Sequence, residues 1–67
     1  MASEIVYVKL LDEGVQVWRP VTAEVMSGGL YRLTGDRPGE EVWAFPPGST
    51  VRCERRQVDL YAIEEAR

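Results

Sequence analysis

Short runs of apolar residues, separated by clusters of polar and turn-forming residues, extend along the whole chain. The first run, Ile5 to Leu11, is rich in β-branched and aromatic residues and is too short for a typical helix, so it predicts a strand. Both of its alternating sets of residues are apolar, which predicts a strand covered on both faces over part of its length. Asp12-Glu13-Gly14 predicts the turn that follows, because Gly14 adopts positive φ without strain.

A second strand is predicted from Val15 to Arg19. Pro20 lacks an amide donor and therefore favours an edge position or a bulge at this point. The residues from Val21 to Met26 then alternate between apolar and polar, as in a half-buried strand. Ser27-Gly28-Gly29 is a hairpin signal. The returning strand, Leu30 to Thr34, is predicted to place Tyr31 and Leu33 inward and Arg32 outward.

The second half of the chain shows the same pattern of short elements. Gly35 to Glu40 is a polar loop, and Glu41 to Phe45 predicts a short strand. Pro46-Pro47-Gly48-Ser49 has proline and glycine at the positions that a type II turn requires. A further strand is predicted from Thr50 to Arg55. Leu60 to Ile63 predicts a final strand, with a terminal helical turn over the residues up to 66 as the alternative.

These elements predict an all-β fold in a single domain, residues 1–67, because no segment has the length and pattern of a stable helix. Small sheets remove their exposed edges by curling into a barrel. We therefore predict a small SH3-like barrel of five to six strands, with the first and last strands close together. A chain of 67 residues buries only about 60% of its unfolded surface, so its core is thin.

The composition excludes several classes of function. The chain has no histidine, which excludes His-based catalysis and His-ligated metal sites. Its single cysteine, Cys53, cannot form an intramolecular disulfide, which favours a reducing cytoplasm over a secreted scaffold. The N-terminus lacks the pattern of a signal peptide, and no apolar run approaches the ~20 residues of a membrane helix. We expect a cytoplasmic protein without a membrane contact or a cofactor.

No group of residues predicts an active site. Cys53 shares the inward side of its strand with Val51, which favours a buried, unreactive thiol over a nucleophile of low pKa. The carboxylate pairs Asp12-Glu13 and Glu40-Glu41 lie in exposed turns, where acid–base residues are poorly positioned. Gly28-Gly29 is not followed by the helix that phosphate-binding loops require. The chain is therefore predicted not to be an enzyme and to hold no metal.

The aromatic residues are candidates for core packing or for binding. Trp43 and Phe45 are predicted in the core, whereas Trp18 has both interpretations because the neighbouring proline interrupts its strand. Arg19 is expected to lie across the Trp18 indole. Because Trp and Arg most often dominate interface energetics, a protein partner is expected to dock on Trp18 and Arg19, with Arg52 adjacent. The complete aromatic set is Tyr7, Trp18, Tyr31, Trp43, Phe45 and Tyr61.

A nucleic-acid interaction is the alternative function. Arg52, Arg55 and Arg56 form a basic cluster that would contact phosphates, although the net charge of −3 opposes this interpretation. Arg52, Glu54 and Arg56 share one side of a strand, where ion pairs within the chain are the other interpretation. Association with a second copy is a further option, since a short barrel with an exposed edge gains core by pairing.

Four short motifs carry a resemblance to other sequences: Leu10 to Gly14, Val17 to Val21, Phe45 to Gly48, and Val51 to Glu54. Together they resemble the LLDEG…VWRPV…FPPG…VRCE pattern of a group of small, uncharacterised bacterial proteins. The resemblance covers most of the chain. It implies a bacterial source and a small β-barrel.

The predicted fold is similar to that of SH3 domains, which bind Pro-rich peptides. Those domains carry an Ala-Leu-Tyr-Asp-Tyr-like first strand and a late Pro-x-x-Tyr element. This chain has Val6-Tyr7-Val8-Lys9 instead of the first and lacks the second, so the analogy implies the fold and not that ligand. We predict a non-catalytic bacterial binding module that docks another protein.

Overall fold

The computed structural model describes residues 2–11, 15–36, 39 and 41–66. Five strands follow one another along these residues: β1 (Ser3–Leu10), β2 (Val17–Val25), β3 (Leu30–Leu33), β4 (Thr50–Arg56) and β5 (Asp59–Glu65). A 3₁₀ turn, Ser27–Gly29, joins β2 to β3 and is the only helical element of the described part of the chain. The prediction of an all-β fold is confirmed. The predicted turn at Asp12-Glu13-Gly14 and part of the loop from Gly35 to Glu40 lie outside the described residues.

The strands form one sheet in chain order, and the first strand also pairs with the last, so that the sheet closes on itself. Neighbouring strands along the chain are antiparallel. The closing pair, β1 with β5, is parallel and joins Val6 to Leu60 and Tyr7 to Tyr61. The predicted proximity of the first and last strands is therefore present. Closure leaves the sheet with an inner face, which forms the core, and an outer face.

Within the described residues, the core consists of ten buried residues on the inner face. Alternation selects those that lie in strands, because successive side chains of a strand point to opposite faces. In β1, for example, Val6, Val8 and Leu10 are buried, whereas the residues between them are half-buried. Phe45 and Tyr31 pack against this core without being fully enclosed. The buried residues are Val6, Val8, Leu10, Val21, Ala23, Leu33, Trp43, Val51, Leu60 and Ala62.

The two predicted glycine turns that lie within the described residues adopt the backbone conformation that the sequence indicates. Gly28 and Gly29 have φ values of 72° and 77° in the connection between β2 and β3. Gly48 has φ 89°, and the amide of Ser49 donates to the carbonyl oxygen of Pro46 at 3.1 Å. This hydrogen bond and the positive φ at the third position define the type II turn predicted for Pro46 to Ser49.

The predicted strand from Glu41 to Phe45 is wrong. This segment makes a single β-bridge, between Trp43 and Leu10. Two flanking hydrogen bonds support the bridge, from the Leu11 amide to the Val42 carbonyl and from the Ala44 amide to the Lys9 carbonyl, both 2.8 Å. The pairing cannot extend further along the chain because two prolines without amide hydrogens, residues 46 and 47, follow Phe45.

Strand β2 runs without interruption through Pro20. Of the two positions predicted for this proline, an edge position is therefore correct and a bulge is not. β3 pairs with β2 only at Ala23 to Val25, and no other described strand pairs with the first half of β2 on that side. The Thr22 carbonyl accepts hydrogen bonds from Thr34 and Gly35, away from β1. Backbone groups two residues apart in a strand point in the same direction. Pro20, two residues before Thr22, therefore also points away from β1, and its lack of an amide hydrogen does not disrupt the pairing of β1 with β2.

The last predicted element is a strand and not a helical turn. β5 pairs with β4 over its whole length, and the register shifts once, between Arg52 and Cys53. Val51 is buried and Cys53 is half-buried, as their shared parity predicts. Within the described residues, the structure contains no helix with the length and hydrophobicity that a membrane crossing requires.

Two valines allow a matched test of the core. Val51 is fully buried, whereas Val58, in the turn between β4 and β5, is 81% exposed. Val51→Ala should lower the free energy of unfolding by about 2–3 kcal/mol, because it removes buried methyl groups and leaves a cavity. Val58→Ala should change it by less than about 0.5 kcal/mol. Urea unfolding followed by tryptophan fluorescence measures both, and equal losses would contradict the described core.

Candidate docking surface

Two tyrosines lie next to each other on the outer face, where the sheet closes. Tyr7 lies between two buried valines of β1, and Tyr61 lies between two buried residues of β5, so alternation directs both rings outward. The two residues are register partners. Their rings stack with centroids 5.3 Å apart and planes inclined by 25°. The stack therefore covers the outside of the closing strand pair, opposite the buried Val6 and Leu60.

Trp18 belongs to the same outer group. Its ring meets that of Tyr61 edge to face, with centroids 5.0 Å apart and an interplanar angle of 88°. Such aromatic pairs contribute about 0.5–1.5 kcal/mol beyond the area that they bury. Trp18 is half-buried, so it both stabilises the closing strand pair and presents part of its indole to solvent.

A cation lies over this aromatic group, but it is not Arg19. The guanidinium of Arg56 is 5.0 Å from the centroid of the Tyr61 ring. Its Nε also donates to Oε1 of Glu54 at 2.6 Å, and Glu54 is the β4 register partner of Tyr61. Arg56 is thereby held against the ring by a cation–π contact and an ion pair at once.

Exposed aliphatic side chains extend the aromatic group along both closing strands. Ile5 is two residues before Tyr7 on β1 and is 51% exposed; Ile63 is two residues after Tyr61 on β5 and is 44% exposed. Ile5 lies on the same side of β1 as Tyr7. Ile63 has no register partner on β4, because the register shift falls at this residue, and it is grouped with the tyrosines by its exposure. We call the combined surface the outer strip. It consists of Ile5, Tyr7, Trp18, Tyr61 and Ile63.

Ion pairs involve all three arginines of the predicted basic cluster. Arg52 Nε lies 2.8 Å from Glu64 Oε1, and Arg55 Nη2 lies 3.7 Å from Glu4 Oε1. Arg56 pairs with Glu54, as described above. The expected pairing network within the chain is therefore present. Exposed pairs of this kind contribute about 0–1 kcal/mol each, so their main consequence is a local charge of zero.

Arg19 lies on the opposite face of β2 from Trp18, because the two residues are adjacent in one strand. Its Nε donates to Oε1 of Glu41 at 2.9 Å, and its Nη2 donates to Oε2 of the same carboxylate. The indole Nε1 of Trp43 also donates to Oε1 of Glu41, at 3.0 Å. Arg19 therefore holds the segment that carries the buried Trp43, and the structure does not place its guanidinium across the Trp18 indole.

The hydrogen bonds around Glu41 lower the pKa of its carboxyl below the ordinary value. Arg19 is the largest cause, and the indole of Trp43 is the second. The same hydrogen bond raises the pKa of Arg19. Both shifts favour the charged pair at neutral pH, so the contact persists over the range in which most proteins function.

We next consider the groups of the described residues that could act as a nucleophile, a metal ligand or an acid–base residue. Burial, with a smaller contribution from the charge of Glu4, raises the pKa of the Cys53 thiol to about 11, so the thiolate that a nucleophile needs is scarce at neutral pH. Among the described residues there is no pocket and no group of three or more potential metal ligands. Of the two predicted carboxylate pairs, Glu41 accepts hydrogen bonds from Arg19. The other three residues, Asp12, Glu13 and Glu40, lie outside the described residues.

Sequence reasoning identified the members of the outer strip only in part. Trp18 was singled out, and Tyr7 and Tyr61 were named as aromatics without a common location. The link between Arg19 and Glu41 was missed, because 22 residues separate them along the chain. Comparisons of the chain with protein-family models, with curated proteins and with solved structures gave no match.

Glu41→Gln tests the link between Arg19 and the Trp43 segment. A carboxyl whose pKa is lowered on folding stabilises the folded state above its unfolded pKa, ~4.3, and this stability is lost as the pH falls through the folded pKa. The variant should therefore be less stable than the wild type at pH 7, and the difference should shrink below about pH 4.

The measurement is urea unfolding across this pH range, with Glu65→Gln as the control. Glu65 is an exposed carboxylate at the end of β5, and its substitution should change stability little at any pH. A Glu41→Gln deficit that stays constant down to pH 3 would show that the carboxylate charge is not the source of the stability.

Proposed function

We propose that the chain is a non-catalytic binding module of the SH3-like small-barrel type, which docks a protein partner through the outer strip. The observation that supports this most is the position of Trp18, Tyr7 and Tyr61 outside the core, on an outer face that other large apolar side chains extend. Aromatic residues beside arginine are typical of the energetically dominant part of protein interfaces. The absence of a pocket in the described residues fits a flat docking surface better than a small ligand.

The three residues expected to contact a partner have different roles in this proposal. Trp18 contributes the centre of the surface. Arg52 lies at its border, exposed and paired with Glu64 beside Ile63. Arg19 is assigned to the fold, because both carboxylate oxygens of Glu41 accept hydrogen bonds from one edge of its guanidinium.

Strand addition at the free edge of β2 contributes little to the proposed docking. The edge residues are Trp18 and Pro20, and Pro20 supplies no amide donor. Of these two residues, only Trp18 offers an N–H donor to an added strand, so side-chain contacts across the outer face are favoured over backbone pairing.

The nucleic-acid alternative has less support. Each arginine of the cluster Arg52, Arg55 and Arg56 has a carboxylate partner, and phosphate binding would have to break these pairs. Tyr61 is also engaged by Tyr7, Trp18 and Arg56, which obstructs the stacking of a base on its ring. The setting that we propose is the bacterial cytoplasm, where the single thiol Cys53 would remain reduced.

An affinity capture from a lysate of the source cells tests the proposal. Trp18→Ala should lose a protein that the wild type retains, with or without nuclease treatment. Met26→Ala is the matched control, because Met26 is an exposed apolar residue outside the outer strip and should retain the partner. Circular dichroism and thermal unfolding establish that each variant is folded.

If Trp18→Ala proves unfolded, Ile63→Glu replaces it, because Ile63 is exposed and is not part of the aromatic packing. Capture that is unchanged in a folded Trp18→Ala or Ile63→Glu variant would contradict the proposal. Material captured only in the absence of nuclease would support the nucleic-acid alternative.

Salt dependence gives an independent test. A partner held by the outer strip should bind with an affinity that changes little between 50 and 200 mM salt, because apolar contacts are not screened. Binding through three phosphate contacts, one for each arginine of the cluster, should weaken by about 40-fold over the same range. Fluorescence anisotropy of the labelled chain with the captured partner measures the difference.

A further inference from the structure

Residues 41–45 lie beside β1, on the side where β5 pairs. The register pairing of β1 with β5 ends at Tyr7. Lys9 and Leu11 share the parity of Tyr7, so their backbone groups point in the same direction. The Lys9 carbonyl and the Leu11 amide are hydrogen-bonded to residues 44 and 42 instead of β5. This segment, which we call the strap, therefore takes the position beside β1 at which the pairing with β5 has ended.

The backbone of the strap is held more weakly than the strands are. Its two hydrogen bonds to β1, each 2.8 Å, flank the single bridge between Trp43 and Leu10. On its other side, β1 pairs with β2 along eight residues, from Ser3 to Leu10. Each backbone hydrogen bond contributes little net free energy, so two of them hold the strap only with the help of its side chains.

Side chains supply the rest of the attachment. The Trp43 side chain belongs to the core, and Phe45 packs against that core. The Glu41 carboxylate accepts hydrogen bonds from the guanidinium of Arg19 on β2 and from Nε1 of Trp43. A buried N–H group without a partner is costly. Glu41 therefore ties the strap to β2 and also satisfies the indole that the strap buries.

The strap can detach without breaking the sheet. Residues 41–45 all lie outside the five strands, and the closed strand order does not include them. The chain after the strap is fixed separately, because the Leu33 carbonyl accepts from the Gly48 amide at 2.8 Å and the Leu33 amide donates to Ser49 at 2.9 Å. Detachment therefore removes the two hydrogen bonds to β1, the Glu41 contacts and the burial of the strap's aromatic side chains, and it leaves every strand pairing intact.

From this arrangement we infer that the strap opens as one unit while the sheet stays closed, and that Arg19 with Glu41 is the latch that sets how often it opens. The open state is a minor population, because it exposes Trp43. It also leaves the Lys9 carbonyl and the Leu11 amide unpaired, and such groups pair with other extended segments. The closed strap is thus a cover for this edge of β1. The inference does not rest on the proposed function.

Native-state hydrogen exchange of the ¹⁵N-labelled wild type tests this without any substitution. Three N–H groups report on the strap: the amides of Leu11 and Ala44 and the indole of Trp43. The amides of Val6 and Val21, register partners in β1 and β2, report on global unfolding. The strap reporters should share one protection factor, at least about tenfold below that of the two valines. Their exchange should depend only weakly on urea, because opening exposes little surface.

Glu41→Gln tests the latch in the same experiment. The variant keeps a hydrogen-bond acceptor and loses the charge, so exchange at all three strap reporters should accelerate by about 5- to 30-fold. Glu65→Gln removes an exposed carboxylate at the end of β5 and, as the matched control, should leave the three rates unchanged. If Leu11 exchanged only through fraying at the end of β1, its rate would not respond to a substitution at residue 41.

Two results would overturn the inference. Strap reporters with the protection and urea dependence of Val6 and Val21 would show that the strap opens only when the whole chain unfolds. Strap reporters that differ from one another, or that Glu41→Gln leaves unchanged, would show that the segment is not one latched unit. Either result leaves the proposed function standing, because the capture experiment with Trp18→Ala measures the outer strip independently.

Discussion

The parallel pairing of β1 with β5 is the constraint on which the rest of the structure depends. Only two residue pairs make this connection, Val6 with Leu60 and Tyr7 with Tyr61. Two residue pairs supply few hydrogen bonds, so side-chain packing on both faces of the β1–β5 pair must also stabilise it. The first pair supplies buried aliphatic side chains inside, and the second supplies a stacked ring pair outside. Closure of the sheet therefore places large apolar side chains on the outer face, where we propose that a partner docks.

The two tryptophans lie on opposite faces of the closed sheet. Trp43 is buried at one end of the core and is held by Glu41 and Arg19. Trp18 lies outside, against Tyr61. Strand alternation places Arg19 on the face opposite Trp18, so the arginine of the aromatic group comes from β4, as Arg56. The sheet therefore has aromatic packing on both faces: Trp43 in the core and Trp18 with Tyr61 outside it.

Much of the fold follows from local patterns, and the candidate site follows from them only in part. Alternation predicts the inward residues of the strands, and the glycine and proline positions predict the turns at Gly28 and Gly48, because these rules act over a few residues. The stack of Tyr7 on Tyr61 depends on the register between the two ends of the chain, which no local pattern encodes. The segment from Glu41 to Phe45 has a strand-like composition, but the prolines that follow it limit its pairing to one bridge.

The most direct test of the outer strip as a docking surface is a titration of the ¹⁵N-labelled chain with the captured partner, followed by ¹⁵N–¹H and aromatic NMR spectra. The account predicts partner-dependent shifts at the Trp18 indole and at Tyr7, Tyr61 and Ile63, with none at the Trp43 indole or Gly48. Shifts centred on the Trp43 end of the sheet, with the outer strip unchanged, would contradict it.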